Sequence, residues 1–191
     1  MKDLYFEKPK NYFSNIRYDI LELIKCNNCK ILEIGCGTGA TLMELKRLCK
    51  ANYIAGVDIV DLGQSEKLDK FILGDIEIEE LNFPDKYFDI IICADVLEHL
   101  KDPWSTVNKL KKYLKDNGVI IASIPNIREI RTLLSIVIKG DFKYADSGIL
   151  DKTHLRFFCK KNIIELFKET GFKLEKINNS SLSPKRFFLI K

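Results

Sequence analysis

The stretch Glu33-Ile34-Gly35-Cys36-Gly37-Thr38-Gly39-Ala40 decides how this 191-residue chain is read. It starts at the end of an apolar run, residues 31–34. It leads into residues 40–50, where Leu42, Leu45 and Leu48 share one face at helical spacing with Cys49 beside them. Glycines at 35, 37 and 39 lack the Cβ atoms that would keep a ligand off the backbone, and they permit the positive φ of a tight strand-to-helix turn. The first N–H groups of the helix have no intrahelical partner and face whatever binds there. A strand, a glycine turn and a helix in this order suit a nucleotide-like ligand. The spacing Gly35-x-Gly37-x-x-Ala40 also fits a dinucleotide turn, so the loop alone leaves the ligand open.

Working outward, residues 53–57, 71–73, 88–93 and 119–124 join 31–34 as short, strongly apolar runs. Several lack alternation, as strands covered by helices on both faces do. Helical periodicity lies between them, with a leading helix at about 12–25. Another helix is opened by Asp102 as N-cap and Pro103 at the first helical position, and runs through Val107, Leu110 and Leu114 to a stop at Asn117-Gly118. Alternating strand and helix predicts an α/β, doubly wound sheet with right-handed crossovers. The C-terminal third reads as a helix over 128–139, a polar loop over 140–153 and a helix over 160–170 closed by Gly171. Residues 172–177 and 186–190 then form an antiparallel edge pair. In 128–139 the apolar residues Ile130, Leu133, Leu134, Val137 and Ile138 are expected to cover the core or form a lid, the alternatives being a dimer contact or association with a membrane surface.

Composition bounds the partners. The chain carries 31 Lys and Arg against 27 Asp and Glu, a net charge of +4, with no long basic run. That is too small to force nucleic-acid or anionic-membrane binding; no DNA partner is expected, and RNA is disfavoured. No apolar run approaches the ~20 residues of a membrane span, and Met1–Pro9 has no signal-peptide core. A cytoplasmic protein is expected. Six cysteines include one CxxC, Cys26-Asn27-Asn28-Cys29, and no second pair completes a metal site. Reduced thiols are expected, the alternative being a Cys26–Cys29 redox pair.

Three acidic positions sharpen the ligand. Asp58 ends the second strand, where a carboxylate can accept both hydroxyls of a ribose. Glu33 stands just before the glycine turn, within reach of a charged amine, and Asp75 follows the third strand, where it can accept an exocyclic adenine amine. Such a ring of carboxylates repels a pyrophosphate and tolerates a sulfonium that carries an ammonium. Each also has a structural reading: Asp58 as a helix cap, Asp75 as a turn former, the glycines as a turn only.

These motifs, Glu33–Gly39 as EIGCGTG, Gly56-Val57-Asp58-Ile59, Gly74-Asp75, Phe83-Pro84-Asp85-Lys86-Tyr87-Phe88-Asp89 and Asp95-Val96-Leu97-Glu98-His99-Leu100, resemble class I S-adenosylmethionine-dependent methyltransferases. The resemblance covers about residues 28–125. It implies a Rossmann-like, three-layer α/β/α fold with a seven-stranded sheet in the order 3-2-1-4-5-7-6, the last strand antiparallel. It implies S-adenosylmethionine as cofactor, held by Glu33, Gly35, Cys36, Gly37, Asp58, Ile59, Asp75, Ile76, Ala94, Asp95 and Val96. Arg17 falls where relatives often carry a residue near the methionyl carboxylate, and reads equally as a surface cation. The chain is then one methyltransferase domain over 1–191. It comprises an N-terminal helical segment (1–27), a cofactor-binding core (28–125), acceptor-side helices and loop (126–171) and C-terminal strands (172–191).

Methyl transfer to a hydroxyl also needs a base that titrates near neutrality. The chain has two histidines. His154, in Leu150-Asp151-Lys152-Thr153-His154-Leu155-Arg156-Phe157-Phe158, is the favoured base, with Phe157 and Phe158 walling an acceptor pocket and Arg156 holding an anionic acceptor. The alternative is a structural turn with both phenylalanines buried. This segment through Phe172 resembles members that act on sugars and in polysaccharide assembly, although Cys159 stands where relatives carry Thr or Ser. His99 is the second candidate. Asp95-x-x-Glu98-His99 resembles a Glu-x-x-Glu-His ion site of phenol and RNA 3′-end methyltransferases, with His154 as a further ligand. No metal is expected, since many members keep Glu-His without one. Ile124-Pro125-Asn126 lacks the Asn-Pro-Pro-aromatic signature of amino-nitrogen methylation, which leaves oxygen. The expected acceptor is a small molecule or glycan intermediate. The competing readings are an NAD(P)-binding reductase and a non-catalytic partner that binds S-adenosylmethionine.

Overall fold

A computed structural model describes residues 14–178 and 185–190. The strands are β1 (Cys29–Ile34), β2 (Ala51–Asp58), β3 (Lys70–Leu73), β4 (Phe88–Ala94), β5 (Leu114–Pro125), β6 (Leu174–Asn178) and β7 (Lys185–Ile190). They form one sheet in the order β3-β2-β1-β4-β5-β7-β6. The first five are parallel, and β7 runs antiparallel to both β5 and β6. The helices are α1 (Tyr18–Leu21), α2 (Ala40–Arg47), α3 (Pro103–Tyr113), α4 (Ile130–Lys139) and α5 (Lys160–Glu169).

The two-residue side-chain period of a strand sorts the apolar runs onto two faces. Ile31, Ile54, Ile90, Ile92 and Ile121 pack with Ile20 of α1 and Leu42 and Leu45 of α2. Leu32, Ile34, Val57, Ile91 and Cys93 pack on the opposite face with Val107 and Leu110 of α3 and Leu166 and Phe167 of α5. Both faces are covered, so the runs need no polar alternation. On β1, Glu33 falls on the same side as Ile31, toward the segment that precedes α1.

Several boundaries differ from the expected ones for identifiable reasons. The leading helix is one turn, Tyr18–Leu21, because the N–H of Arg17 is drawn to Thr41 Oγ1 at 3.2 Å; residues 12 and 13, like Met1–Pro9, lie outside the described residues. The helix opened by Asp102 does receive its cap, from Ser105 N–H at 3.0 Å. It ends at Tyr113 rather than at Asn117-Gly118, which lies within β5. Its last carbonyls, on Lys112 and Tyr113, accept from Lys86 and Tyr87 N–H at 2.9 and 2.8 Å, which turns the chain into the sheet. No residue of α4 is buried, so α4 does not cover the core. Cys26 and Cys29 are joined by a disulfide, with Cα atoms 6.4 Å apart, whereas free thiols were the first expectation from composition.

The turn after β1 meets the turn after β4. A Cβ built on Gly35, whose φ is +68°, would lie 2.6 Å from Val96 Cγ2. Gly39, at φ +74°, would meet Leu68 at 3.1 Å. These two glycines thus make room for protein side chains, where the sequence suggested room for a ligand. Gly35→Ala should cost about 2–4 kcal/mol in urea unfolding, combining a left-handed backbone and an overpacked contact. Adding Val96→Ala should return part of that loss.

Candidate functional site

A cleft of about 350 Å³ opens at the carboxyl ends of β1, β2, β3 and β4, the end at which open α/β sheets bind their ligands. Every expected cofactor residue lines it: Glu33, Gly35, Cys36 and Gly37 at the end of β1 and in the turn after it; Asp58 and Ile59 at the end of β2; Asp75 and Ile76 after β3; Ala94, Asp95 and Val96 at the end of β4. Asn15, Arg17, Thr41 and His99 line it as well.

Asp58 is built into the glycine turn. Its Oδ2 accepts from Gly37 N–H at 2.8 Å and its Oδ1 from Val60 N–H at 3.1 Å. Each oxygen keeps further lone-pair capacity. Burial raises its pKa above the ordinary value, and the N–H donors work against that rise. Asp75 is both a turn former and a lining residue: its Oδ1 accepts from Glu77 N–H at 2.9 Å.

Glu33 has no such support. It is 3 % exposed, and its Oε2 has no hydrogen-bond partner among the described residues. Burial pushes its pKa up to about 8, with Arg17 acting against the rise and Asp58 adding to it. A buried, unsatisfied carboxylate costs free energy unless a cation or donor meets it. The cleft therefore fits a ligand carrying an ammonium and a ribose, and its five carboxylates, those of Glu33, Asp58, Asp75, Glu77 and Asp95, disfavour a pyrophosphate.

Arg17 lines the cleft and is held there by three side chains. Its Nη1 donates to Asp95 Oδ2 at 2.8 Å, its Nη2 to Ser123 Oγ at 3.1 Å, and its Nε to Asp19 Oδ1 at 3.1 Å. Ser123 Oγ donates to Asp95 Oδ1 at 2.7 Å. Burial opposes the Arg17 charge, but the Asp95 and Asp19 carboxylates outweigh it and raise the pKa. Asp95 sits at φ +55°, a left-handed conformation that Asp tolerates better than most residues. Ser123 was missed from sequence, although a hydroxyl inside the apolar run 119–124 was a usable signal.

The histidines are brought together but play different parts. Their rings lie 4.7 Å apart, edge to face. His99 Nδ1 is 3.0 Å from Thr153 O and His154 Nδ1 is 2.9 Å from Ile149 O. A carbonyl only accepts, so both Nδ1 atoms carry a proton. His99 lines the cleft; His154, the favoured base from sequence, does not. It sits behind His99 with Nε2 4.0 Å from Glu98 Oε1. Burial, then the neighbouring His154, push the His99 pKa down to about 4. Ligating atoms of Glu98, His99 and His154 all lie within 4.8 Å of one another, and all three residues are buried. The Arg156 guanidinium is bonded to Lys101 O and is not a cleft residue. Phe158 is buried and bridged to Asn126, while Phe157 packs on Phe142.

Comparison with known proteins gives the same picture. Residues 6–177 match a family described as a methyltransferase domain. A ubiquinone biosynthesis O-methyltransferase of Haemophilus ducreyi is 25 % identical over 150 residues, 71 % of this chain and 62 % of that protein. A tRNA U34 carboxymethyltransferase of Nautilia profundicola is 29 % identical over 153 residues, 76 % of this chain and 46 % of that one. This chain therefore spans between about half and two thirds of the length of these relatives. A solved S-adenosylmethionine-dependent methyltransferase of Clostridium acetobutylicum shares the fold at TM-score 0.66 and 16 % identity, over 98 % of this chain and 94 % of that one. The chain belongs to the methyltransferase-domain family, the class I enzymes whose cofactor is S-adenosylmethionine.

Proposed function

We propose that this chain methylates a hydroxyl oxygen of a small molecule or a sugar or polysaccharide intermediate. The observation that carries the reading is the buried Glu33 carboxylate facing a cleft ringed by acids, with Asp58 fixed beside it. Bound there, S-adenosylmethionine supplies a methyl group already activated for in-line displacement. Asp58 would hold the ribose hydroxyls on its remaining lone pairs, Asp75 the adenine amine and Glu33 the ammonium. Arg17, bonded to Asp95, lines the same cleft. His99 lines the cleft and serves as the proton acceptor, a weak base whose pKa burial and His154 push down to about 4, with His154 packed edge to face against it. The name of the Haemophilus ducreyi relative, an O-methyltransferase, supports oxygen as acceptor; that of the Nautilia profundicola relative keeps RNA among the acceptors to be tested.

A second reading, a divalent ion assisting methylation of a phenol or an RNA 3′ end, is favoured by the convergence of Glu98, His99 and His154. Asp95 does not belong to that set; its carboxylate oxygens accept from Ser123 and Arg17 instead. A panel of sugars, phenols and RNA ends, assayed for turnover, decides between the acceptors. If nothing on it is methylated while the cofactor binds, the non-catalytic alternative stands. On the first reading, dialysis against chelator leaves turnover unchanged. Loss with recovery on adding magnesium or manganese establishes the second.

Two further outcomes follow from the cofactor contacts. Asp58→Ala should weaken S-adenosylmethionine binding about tenfold to a hundredfold by calorimetry, the effect of losing charge-assisted hydrogen bonds of about 1.5–3 kcal/mol. Unchanged affinity removes the reading. Glu33 holds its proton in the folded chain up to about pH 8 and in the unfolded chain only to about 4.5. The stability this contributes is complete below 4.5 and lost as pH rises through 8. Thermal melts of wild type should therefore fall relative to Glu33→Gln across that range. The same variant should bind the cofactor more weakly.

A further inference from the structure

Helix α4 is inverted. Ile130, Leu134, Val137 and Ile138 follow the i, i+4, i+7, i+8 spacing of a single stripe, and they are 63, 47, 78 and 73 % exposed. The side toward the protein is held by the half-buried Thr132, Leu133, Ser135 and Ile136. Water-facing apolar stripes of this continuity mark a surface that is covered in use. The exposed strip continues past the helix into Phe142 and Tyr144, whose rings stack edge to face at 5.4 Å.

Its charged surroundings identify the cover. Arg128, Arg131, Lys139 and Lys143 are all exposed along this segment. Of the two carboxylates among them, Glu129 is engaged as the N-cap, accepting from Thr132 N–H at 2.8 Å, and only Asp141 stands free of the cap. At 100° per residue, Arg131 lies at the edge of the stripe beside Ile138, whereas Lys139 lies about 100° further round, on the side of Ser135 and Thr132. A second copy paired along the stripe about a two-fold axis would bring Arg131 and the flanking Arg128 and Lys143 near their own copies, an arrangement that like-charge repulsion opposes. An anionic plane meets Arg131 together with the apolar stripe, with Arg128 and Lys143 exposed just beyond the two ends of the helix.

We propose that α4 is an interfacial helix that docks this chain on an anionic phospholipid bilayer. Ten residues rise only about 15 Å, half the hydrocarbon thickness, so the helix lies in the headgroup region and does not cross. The four apolar side chains enter the acyl boundary, Phe142 and Tyr144 sit at headgroup depth, and the cations pair with phosphates. Because α4 follows the carboxyl end of β5, the sheet end that bears the cleft, docking there turns the acceptor side toward the membrane. Membrane docking does not depend on the methylation chemistry and is measured without cofactor or acceptor.

Flotation of the full chain with phosphatidylcholine vesicles, with and without phosphatidylglycerol, tests it. Binding is expected only to the anionic vesicles and should weaken with salt. Val137→Glu with Ile138→Glu, at positions too exposed to disturb the core, should reduce it about tenfold or more. Arg128→Glu with Arg131→Glu should do the same, because both cations are exposed along this segment. Circular dichroism melts matching wild type show that both variants fold. No binding to anionic vesicles, or unchanged binding by both variants, overturns the proposal. So does a dimer in light scattering that Val137→Glu dissociates, because a second copy is then the cover.

Discussion

The site depends on how closely two turns approach. Gly35 and Val96 come so near that no Cβ fits between them, 2.6 Å separating its place from the valine methyl. With Val96 seated there, the chain leaving β4 must reverse at once, and Asp95 takes the left-handed conformation at φ +55°. That conformation aims the carboxylate at Arg17 and Ser123 rather than along the strand. Arg17 is then fixed in two directions, by its guanidinium to Asp95 and by its backbone to Thr41. Asn15 and Arg17, just before α1, are thereby held in the cleft lining. One close contact between strand ends thus bears on the turn, the ion pair and the place of Arg17.

Two carboxylates on adjacent strands end in different states for physical reasons. Asp58 and Glu33 are both buried, and burial disfavours the charge on each. Asp58 receives two backbone N–H bonds that favour its anion. Glu33 receives none at Oε2 and has only the more distant Arg17 to offset the loss of water. A proton on Glu33 is therefore held until a cation replaces it, whereas Asp58 is prepared as an acceptor. The division suits a ligand with a diol at one end and an ammonium at the other. Glu33 gives up stability of the free fold in exchange for that complementarity.

The fold was legible because its signals are local. Apolar runs such as 88–93 need covering on both faces, and glycines at 35 and 37 allow φ of +68° and +52° where the turn demands it. Asp58 and Asp75 were found because each stands at a strand end. What was not legible depends on meetings between distant segments. Arg17 to Asp95 spans 78 residues and Arg17 to Ser123 spans 106, and nothing in either neighbourhood announces the partner. The end of α3 was misplaced at Asn117-Gly118 because Lys86 and Tyr87 capture its last carbonyls, a tertiary event that overrides a local stop signal. For α4 the period was right and the cover wrong: periodicity tells which residues share a face and is silent on whether protein lies against it.

The two histidines illustrate why a base is harder to read than a binding residue. Both are orientated by carbonyls of one loop, Thr153 for His99 and Ile149 for His154. That loop is in turn pinned to the turn after β4, where Glu98 O accepts from Leu155 and Arg156 N–H at 2.9 and 3.0 Å. Asp151 stiffens it from within, accepting from Thr153 N–H and hydroxyl at 2.9 and 2.7 Å. The carbonyl that fixes the His99 proton therefore belongs to the loop between α4 and α5, not to the strand ends that line the cleft. A change that moves this loop, even without touching the cleft, alters the tautomer of His99. The cleft lining thus stands mostly on strand ends that the fold dictates, whereas the orientation of His99 is set by a segment distant in sequence.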